Sequence, residues 1–178
     1  YEQNNLNEQL AVVLKRIVDL EPSNLPSRIK LAELYSREGK VREAVEQFSQ
    51  AAEVLKAANR IEDYIKVVER LIFHDSSNIP LIKELANIYL QQGDIKRALG
   101  KLQICFRADP QDLEVLNMLA QAFQGLGQIS KTISVYKEMA KIYQEQGSIV
   151  DAQRIYQRVL ELAPDDVEAE AALSSLKK

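Results

Sequence analysis

The sequence contains no tryptophan, one cysteine and one histidine, and these scarcities limit its chemistry. Cys105 cannot form an internal disulfide, which favours a reducing compartment. No second histidine or cysteine stands at ligand spacing, so neither Cys105 nor His74 has the neighbours of a zinc site or of an activated nucleophile. We therefore expect Cys105 in the core and His74 in a helix-end role. We predict no catalytic residue, no metal, no cofactor and no enzymatic activity.

Long apolar runs and an excess of basic residues are also absent. No run approaches the roughly 20 apolar residues that span a bilayer, and no signal peptide opens the chain. The net charge of -3 and the pI of about 5.4 argue against nucleic acid as a partner, because phosphates select a basic face. We expect a cytoplasmic protein without membrane insertion and without a small-molecule substrate. Since the chain begins with Tyr1 and not Met, we also expect it to be a segment of a longer protein.

Glycine is scarce too, but four of the six glycines recur in a fixed context. An aromatic residue lies four positions before each of them, an alanine lies seven before, and a small residue lies five after. Glycine can end a helix in the left-handed conformation, and small residues let two helices approach closely. The pattern predicts pairs of helices joined by tight turns at Gly39, Gly93, Gly127 and Gly147.

Nine residues after the glycines lie the large apolar residues Phe48, Leu102, Tyr136 and Tyr156, and seventeen after two of them lie Pro110 and Pro164. The order of small residue, aromatic, glycine, small residue, large apolar residue and proline resembles the tetratricopeptide repeat (TPR). It departs from that family in lacking the consensus tryptophan and in carrying Thr132 where alanine is usual. The resemblance implies an all-α fold, a right-handed α-solenoid of about ten antiparallel helices. In this family such arrays generally bind proteins or peptides.

The glycine spacing is irregular, because the intervals are 54, 34 and 20 residues. An interval of 54 equals one period of 34 plus one of 20, which predicts a hidden turn at Asn59, since asparagine best replaces glycine in a left-handed cap. Two long helices, 41–57 and 129–146, would then each be shared between two pairs in a three-helix unit. An offset of 88 residues aligns the two units, pairing for example Arg70 with Arg158, and indicates an internal duplication.

These turns predict one continuous array over residues 1–178. Helix starts are supported by capping side chains at Asn24, Asn78, Asp112 and Asp166. The predicted parts are a partial repeat 1–24, repeats 25–58, 45–78, 79–112, 113–146 and 133–166, with overlaps at the shared helices, and a terminal helix 166–178.

The resemblance also implies where a partner would bind, because groove-facing positions of the repeat can be transferred to the two regular central repeats. They are Lys83, Asn87 and Gln91, then Asn117, Gln121 and Gln124. Asn and Gln side chains can donate to and accept from a peptide backbone at once. The alternative is that these are solvated polar residues without a ligand.

Three stretches of sequence, which begin at Ser27, Gly93 and Leu119, resemble the long TPR adaptors found in gliding and predatory bacteria. The resemblance is to adaptors of the SgmX type. Those adaptors bind the Ras-like polarity GTPase MglA and help to place or activate type IV pili. The resemblance implies a protein-binding adaptor with an MglA-like GTPase as partner and a role in cell polarity and motility. A structural spacer or self-association module without its own ligand site remains the alternative.

Overall fold

The computed structural model describes residues 2–176, and within them the chain forms ten α-helices and no strand. The all-α fold is therefore confirmed. The helices are α1 (Glu2–Leu20), α2 (Leu25–Arg37), α3 (Val41–Ala57), α4 (Ile61–His74), α5 (Ile79–Gln91), α6 (Ile95–Ala108), α7 (Leu113–Gly125), α8 (Ile129–Glu145), α9 (Ile149–Leu162) and α10 (Val167–Leu176).

The turns between these helices follow the predicted glycine pattern. All four predicted glycines have positive φ, and Asn59, with φ of 53°, is the one other residue with positive φ among those described. After Gly39, the N–H of Lys40 donates to the carbonyl of Tyr35 at 2.9 Å, and after Asn59 the N–H of Arg60 donates to Leu55 at 2.9 Å. Both bonds satisfy carbonyls at a helix end, as a left-handed cap does. The hidden turn at Asn59 is thus confirmed.

Helix starts are capped where the sequence predicted. The side-chain oxygens of Asn24 and Asn78 accept hydrogen bonds from backbone N–H groups three residues later, at 3.1 and 3.2 Å. Asp112 accepts from two N–H groups of α7, and Asp166 accepts from Ala169 at 2.9 Å. Asp94 caps α6 in the same way, which the sequence reasoning did not single out.

The described chain divides into two compact units, one up to Leu81 and one from Ile82 onwards. In the first unit α3 packs against both α2 and α4, and in the second α8 packs against both α7 and α9. The predicted shared helices are therefore present, although α8 ends at Glu145 and not at 146, because Gln146 is its cap. The single array over 1–178 stays a prediction, and residues 1, 177 and 178 lie outside the described residues.

Buried small and apolar residues fill the space around each shared helix. Ala44, Phe48 and Ala51 of α3 are at most 1% exposed, and Ala140 and Ala152 of the second unit are fully buried. Cys105 is buried in α6, as expected, and burial raises the pKa of its thiol.

Thr132, which departs from the family pattern, and the tyrosines of the repeat differ in how deeply they are buried. Thr132 is fully buried, and its Oγ1 donates to the carbonyl of Gln128 at 3.2 Å, so that its polar atom is satisfied within α8. Of the tyrosines in the repeat pattern, Tyr89 and Tyr156 are buried, whereas Tyr35 and Tyr143 are only half-buried.

His74 ends α4, as predicted, but its partner is a side chain and not a terminal carbonyl. Its Nε2 forms a hydrogen bond of 2.8 Å with Ser36 Oγ of α2, and its ring stacks on Phe48 of α3. The residue therefore joins the three helices of the first three-helix unit.

Candidate binding cleft

The predicted groove residues of α7 lie on one face of that helix. Asn117, Gln121 and Gln124 are spaced by four and three residues, which places them above one another along the helix. Gln121 and Gln124 are exposed and Asn117 is half-buried. Among the described residues, none of their side-chain amides has a hydrogen-bond partner. They are thus available to an incoming group.

The structure brings these three residues together in a cleft of the second three-helix unit. A cavity of about 310 Å³ is lined by Asn117, Gln121, Gln124, Tyr136, Arg158, Glu161 and Leu162. A second cavity, of about 330 Å³, shares Asn117 and Arg158 with the first and continues to Tyr143 and Arg154. The two together form what we call the α7–α9 cleft, with residues of α8 at its base.

The predicted residues of α5 have a different setting. Asn87 and Gln91 are exposed, but the Nζ of Lys83 lies 2.9 Å from Asp112 Oδ2 and 2.7 Å from Glu114 Oε2. Lys83 therefore joins α5 to the capped start of α7. None of the three α5 residues lines the α7–α9 cleft, so the predicted site is brought together only in its α7 half.

The ion pairs of Lys83 recur at Lys137 of α8. Lys137 Nζ lies 2.8 Å from Asp166 Oδ2 and 2.7 Å from Glu168 Oε2 at the start of α10. The hydrogen bond from Lys137 lowers the pKa of Asp166, and bonds to Asp166 and Glu168 raise the pKa of Lys137. Both lysines therefore have a structural partner at the N-terminus of a later helix, where carboxylates are favourable.

The residues that sequence reasoning missed are those of α8 and α9. Arg158 lines both cavities, is exposed, and forms no ion pair or hydrogen bond with another described residue. Its neighbour Arg154, by contrast, pairs with Asp151 at 3.1 Å. In the sequence, Arg158 stands out only as the counterpart of Arg70 at an offset of 88. Because α8 is a shared helix, α9 faces α7, and that arrangement could have drawn attention to it.

Two further cavities lie elsewhere. One, of about 410 Å³, runs between α6 and α8 and is mainly apolar, with Phe106, Leu116, Leu119 and Phe123 in its wall. The other, of about 380 Å³, is lined by Arg28, a residue that is 5% exposed and whose guanidinium donates to Gln47, Gln50 and the carbonyl of Pro22. These acceptors keep the buried cation bonded within the protein.

The described residues contain no group of three or more His, Cys, Asp or Glu side chains that could hold a metal ion. No described helix combines the length and the apolar character needed to cross a membrane.

Comparisons with known proteins identify the repeats. Tetratricopeptide repeat family models match residues 79–122 and 138–166. The fold is similar to the ArsTM double mutant of MamA RS-1, with a TM-score of 0.55 and 16% identity over 94% of each chain. It is also similar to BtubC (BKLC) of P. vanneervenii, with a TM-score of 0.52 and 17% identity over 99% of this chain and 89% of that one. A comparison with curated proteins found no match. The chain therefore contains tetratricopeptide repeats within an all-α fold that it shares with these solved proteins.

Proposed function

We propose that this chain is a protein-binding adaptor and that a segment of its partner binds in the α7–α9 cleft. The observation that carries the proposal is the row of three unpartnered amides, Asn117, Gln121 and Gln124, along the wall of one continuous cleft. An extended segment presents backbone N–H and C=O groups at regular intervals, and each amide side chain can both donate and accept. The tyrosine rings of Tyr136 and Tyr143 add apolar contact area.

The partner that the sequence resemblance implies is a Ras-like GTPase of the MglA type, in a cytoplasmic role in bacterial polarity or type IV pilus control. A GTPase exposes different switch conformations with GTP and with GDP, so an adaptor that reads its state binds one form better. The amides of Asn117, Gln121 and Gln124 suit an exposed switch segment of the GTPase, because they can bond its backbone without requiring a particular side chain on it.

Binding to a purified MglA-type GTPase tests this partner. The chain is titrated with the GTPase loaded with a non-hydrolysable GTP analogue and, separately, with GDP, in a calorimeter. We expect binding to one form, with an affinity that falls at least about tenfold when Asn117, Gln121 and Gln124 are all replaced by alanine, because three hydrogen-bonding groups are lost. The matched control replaces Asn87 and Gln91 by alanine, which leaves the cleft intact. Absence of binding in both nucleotide states would remove the GTPase as partner.

The adaptor proposal has its own test, independent of the GTPase. Cross-linking followed by mass spectrometry on partners captured by the intact chain should place links at α7, α8 and α9, and the triple alanine variant should lose the captured partner. Links confined to other helices, with capture unchanged in the variant, would contradict the cleft as binding site.

Self-association has one observation in its favour. Leu6, Val13 and Leu20 of α1 are each more than half exposed and recur every seven residues, which is the spacing of a helix-pairing seam. Light scattering of the intact chain over a range of concentrations tests it: a constant monomer mass would contradict self-association, and a mass increase lost on replacing Val13 by Lys would support it.

A further inference from the structure

The two three-helix units correspond helix by helix. Helices α2, α3 and α4 begin at residues 25, 41 and 61, and α7, α8 and α9 begin at 113, 129 and 149, so that each start is shifted by 88. The ends of the helices are shifted equally. A residue of the α7–α9 cleft can therefore be compared with the residue at the same place in the first unit.

In the first unit, the positions that match the cleft are joined to one another. Arg70 of α4 forms an ion pair with Glu33 of α2, with 3.7 Å between NH1 and Oε1. His74 of α4 forms its 2.8 Å hydrogen bond with Ser36 of α2. Both polar links connect the two outer helices of the unit.

In the second unit the same positions are not joined by these links. Gln121, Gln124, Arg158 and Leu162 stand where the first unit has Glu33, Ser36, Arg70 and His74. Arg158 keeps the charge of Arg70 but faces the neutral Gln121 in place of a carboxylate. Its guanidinium is left without an anion among the described residues, at a point where both cavities of the cleft meet.

We infer that Arg158 binds an acidic side chain of the partner segment, so that the α7–α9 cleft selects an acidic peptide. This rests on the proposed function. A guanidinium presents two parallel N–H donors that match the two oxygens of a carboxylate, and a cation flanked by neutral amides retains its attraction for an anion. In effect, the partner supplies the carboxylate that Glu33 supplies in the first unit.

A carboxylate suits the site better than a phosphate. Glu161 lines the same cavity and has no ion pair among the described residues, and the whole chain has a net charge of -3. A phosphate, with nearly two negative charges at neutral pH, would be repelled more strongly by Glu161 than a single carboxylate would. Arg154 offers little compensation, because it is already paired with Asp151.

The test uses three pools of biotinylated ten-residue peptides that have the same randomised flanks and differ only in a fixed central residue: glutamate, glutamine or phosphoserine. The intact chain is titrated with each immobilised pool, and the retained fraction is measured. We expect the glutamate pool to be retained at least about fivefold better than the glutamine pool, as a charge-assisted bidentate contact predicts.

Two substitutions identify the residue responsible. Arg158→Gln removes the cation, and Gln121→Glu places in the cleft the carboxylate that the first unit has, so both should abolish the preference for glutamate. Glu33→Gln is the matched control in the first unit and should leave the preference unchanged. All three positions are at least partly exposed, and circular dichroism melts check that each variant folds.

The outcomes separate this inference from the function on which it rests. Retention that depends on Asn117, Gln121 and Gln124 but is equal for glutamate and glutamine would overturn the inference and leave the cleft as a binding site. A preference for phosphoserine over glutamate would overturn the carboxylate assignment. Retention of no pool, or retention insensitive to every cleft substitution, would overturn the proposed function itself.

Discussion

At the scale of single residues, backbone conformation decides which side chains the turns accept. Asn59 has a positive φ of 53° in the position that glycine occupies at the other turns. Asparagine enters this region more readily than other residues with a side chain, because its short polar group can bond locally. This stereochemistry explains why the interval of 54 residues between Gly39 and Gly93 predicts a turn at an asparagine.

Replacing Asn59 tests that account. We expect Asn59→Ala to lower the free energy of unfolding by about 1 kcal/mol, since the left-handed conformation is strained for alanine, and Asn59→Gly to leave it nearly unchanged. Urea unfolding followed by circular dichroism measures both.

The control substitution should change the free energy of unfolding in the opposite direction. Gly100 lies inside α6, its φ is not positive, and a Cβ added there would meet nothing within 4 Å. Gly100→Ala should therefore raise the free energy of unfolding by roughly 0.5–1 kcal/mol. A destabilisation by Gly100→Ala, or none by Asn59→Ala, would contradict this reading of the backbone.

At the level of helices, the shared helices α3 and α8 are 17 residues long, longer than the helices on either side of them, and each packs against both of those helices. Such a helix needs small residues on more than one face to allow close approach. In α3, Ala44, Ala51 and Ala52 supply them, and all three are buried. The arrangement also places α2 and α4 on the same shared helix, which is how Arg70 reaches Glu33 and, in the second unit, how Arg158 comes to line a cleft with α7.

Overpacking one of these contacts should be costly. Ala51→Leu adds volume at a fully buried position, and we expect the free energy of unfolding to fall by about 1–3 kcal/mol. Ala57→Leu, at the exposed end of the same helix, is the matched control and should change it by no more than about 0.5 kcal/mol. Equal effects of the two substitutions in urea unfolding would contradict a double-sided packing role for α3.

At the scale of the whole molecule, stability should depend on pH through carboxylates whose pKa is lowered in the folded chain. Bonds from Lys137 lower the pKa of Asp166 and Glu168, and a backbone N–H of Arg97 lowers that of Asp94. A lowered folded pKa contributes stability that is present above the unfolded value of about 4 and is lost as the pH falls through the folded value. The chain should therefore lose stability on the acid side, below about pH 4.

Thermal melts between pH 2 and pH 7 measure this loss. Lys137→Met should make the fall in Tm below pH 4 less steep, because Asp166 and Glu168 lose the cation that lowers their pKa. Lys30→Met is the control, since Lys30 is exposed and has no ion pair among the described residues. If the Tm of the Lys137 variant falls below pH 4 as steeply as that of the unsubstituted chain, the role of Lys137 in lowering these pKa values is contradicted.

The helices, the turns and most of the capped starts could be predicted from the sequence, because these features depend on residues within one or two helical turns of each other. The aromatic, glycine and small residues recur locally, and Asn24 or Asp112 bonds an N–H only three residues away. The repeat positions also led to the prediction that Asn117, Gln121 and Gln124 bind a partner, and these three share one face of α7 because they are four and three residues apart.

The groups that surround those residues are set by the packing of helices and could not be predicted from the sequence. Lys83 was placed in a groove by its repeat position, yet it bonds Asp112 and Glu114 across a helix boundary. In the sequence Arg158 is only the counterpart of Arg70, and it becomes a candidate ligand-binding cation because α7 and α9 both pack on α8 and line the same cleft. Whether a charged side chain is paired or free depends on neighbours that are distant in the chain, and periodicity along one helix holds no information about them.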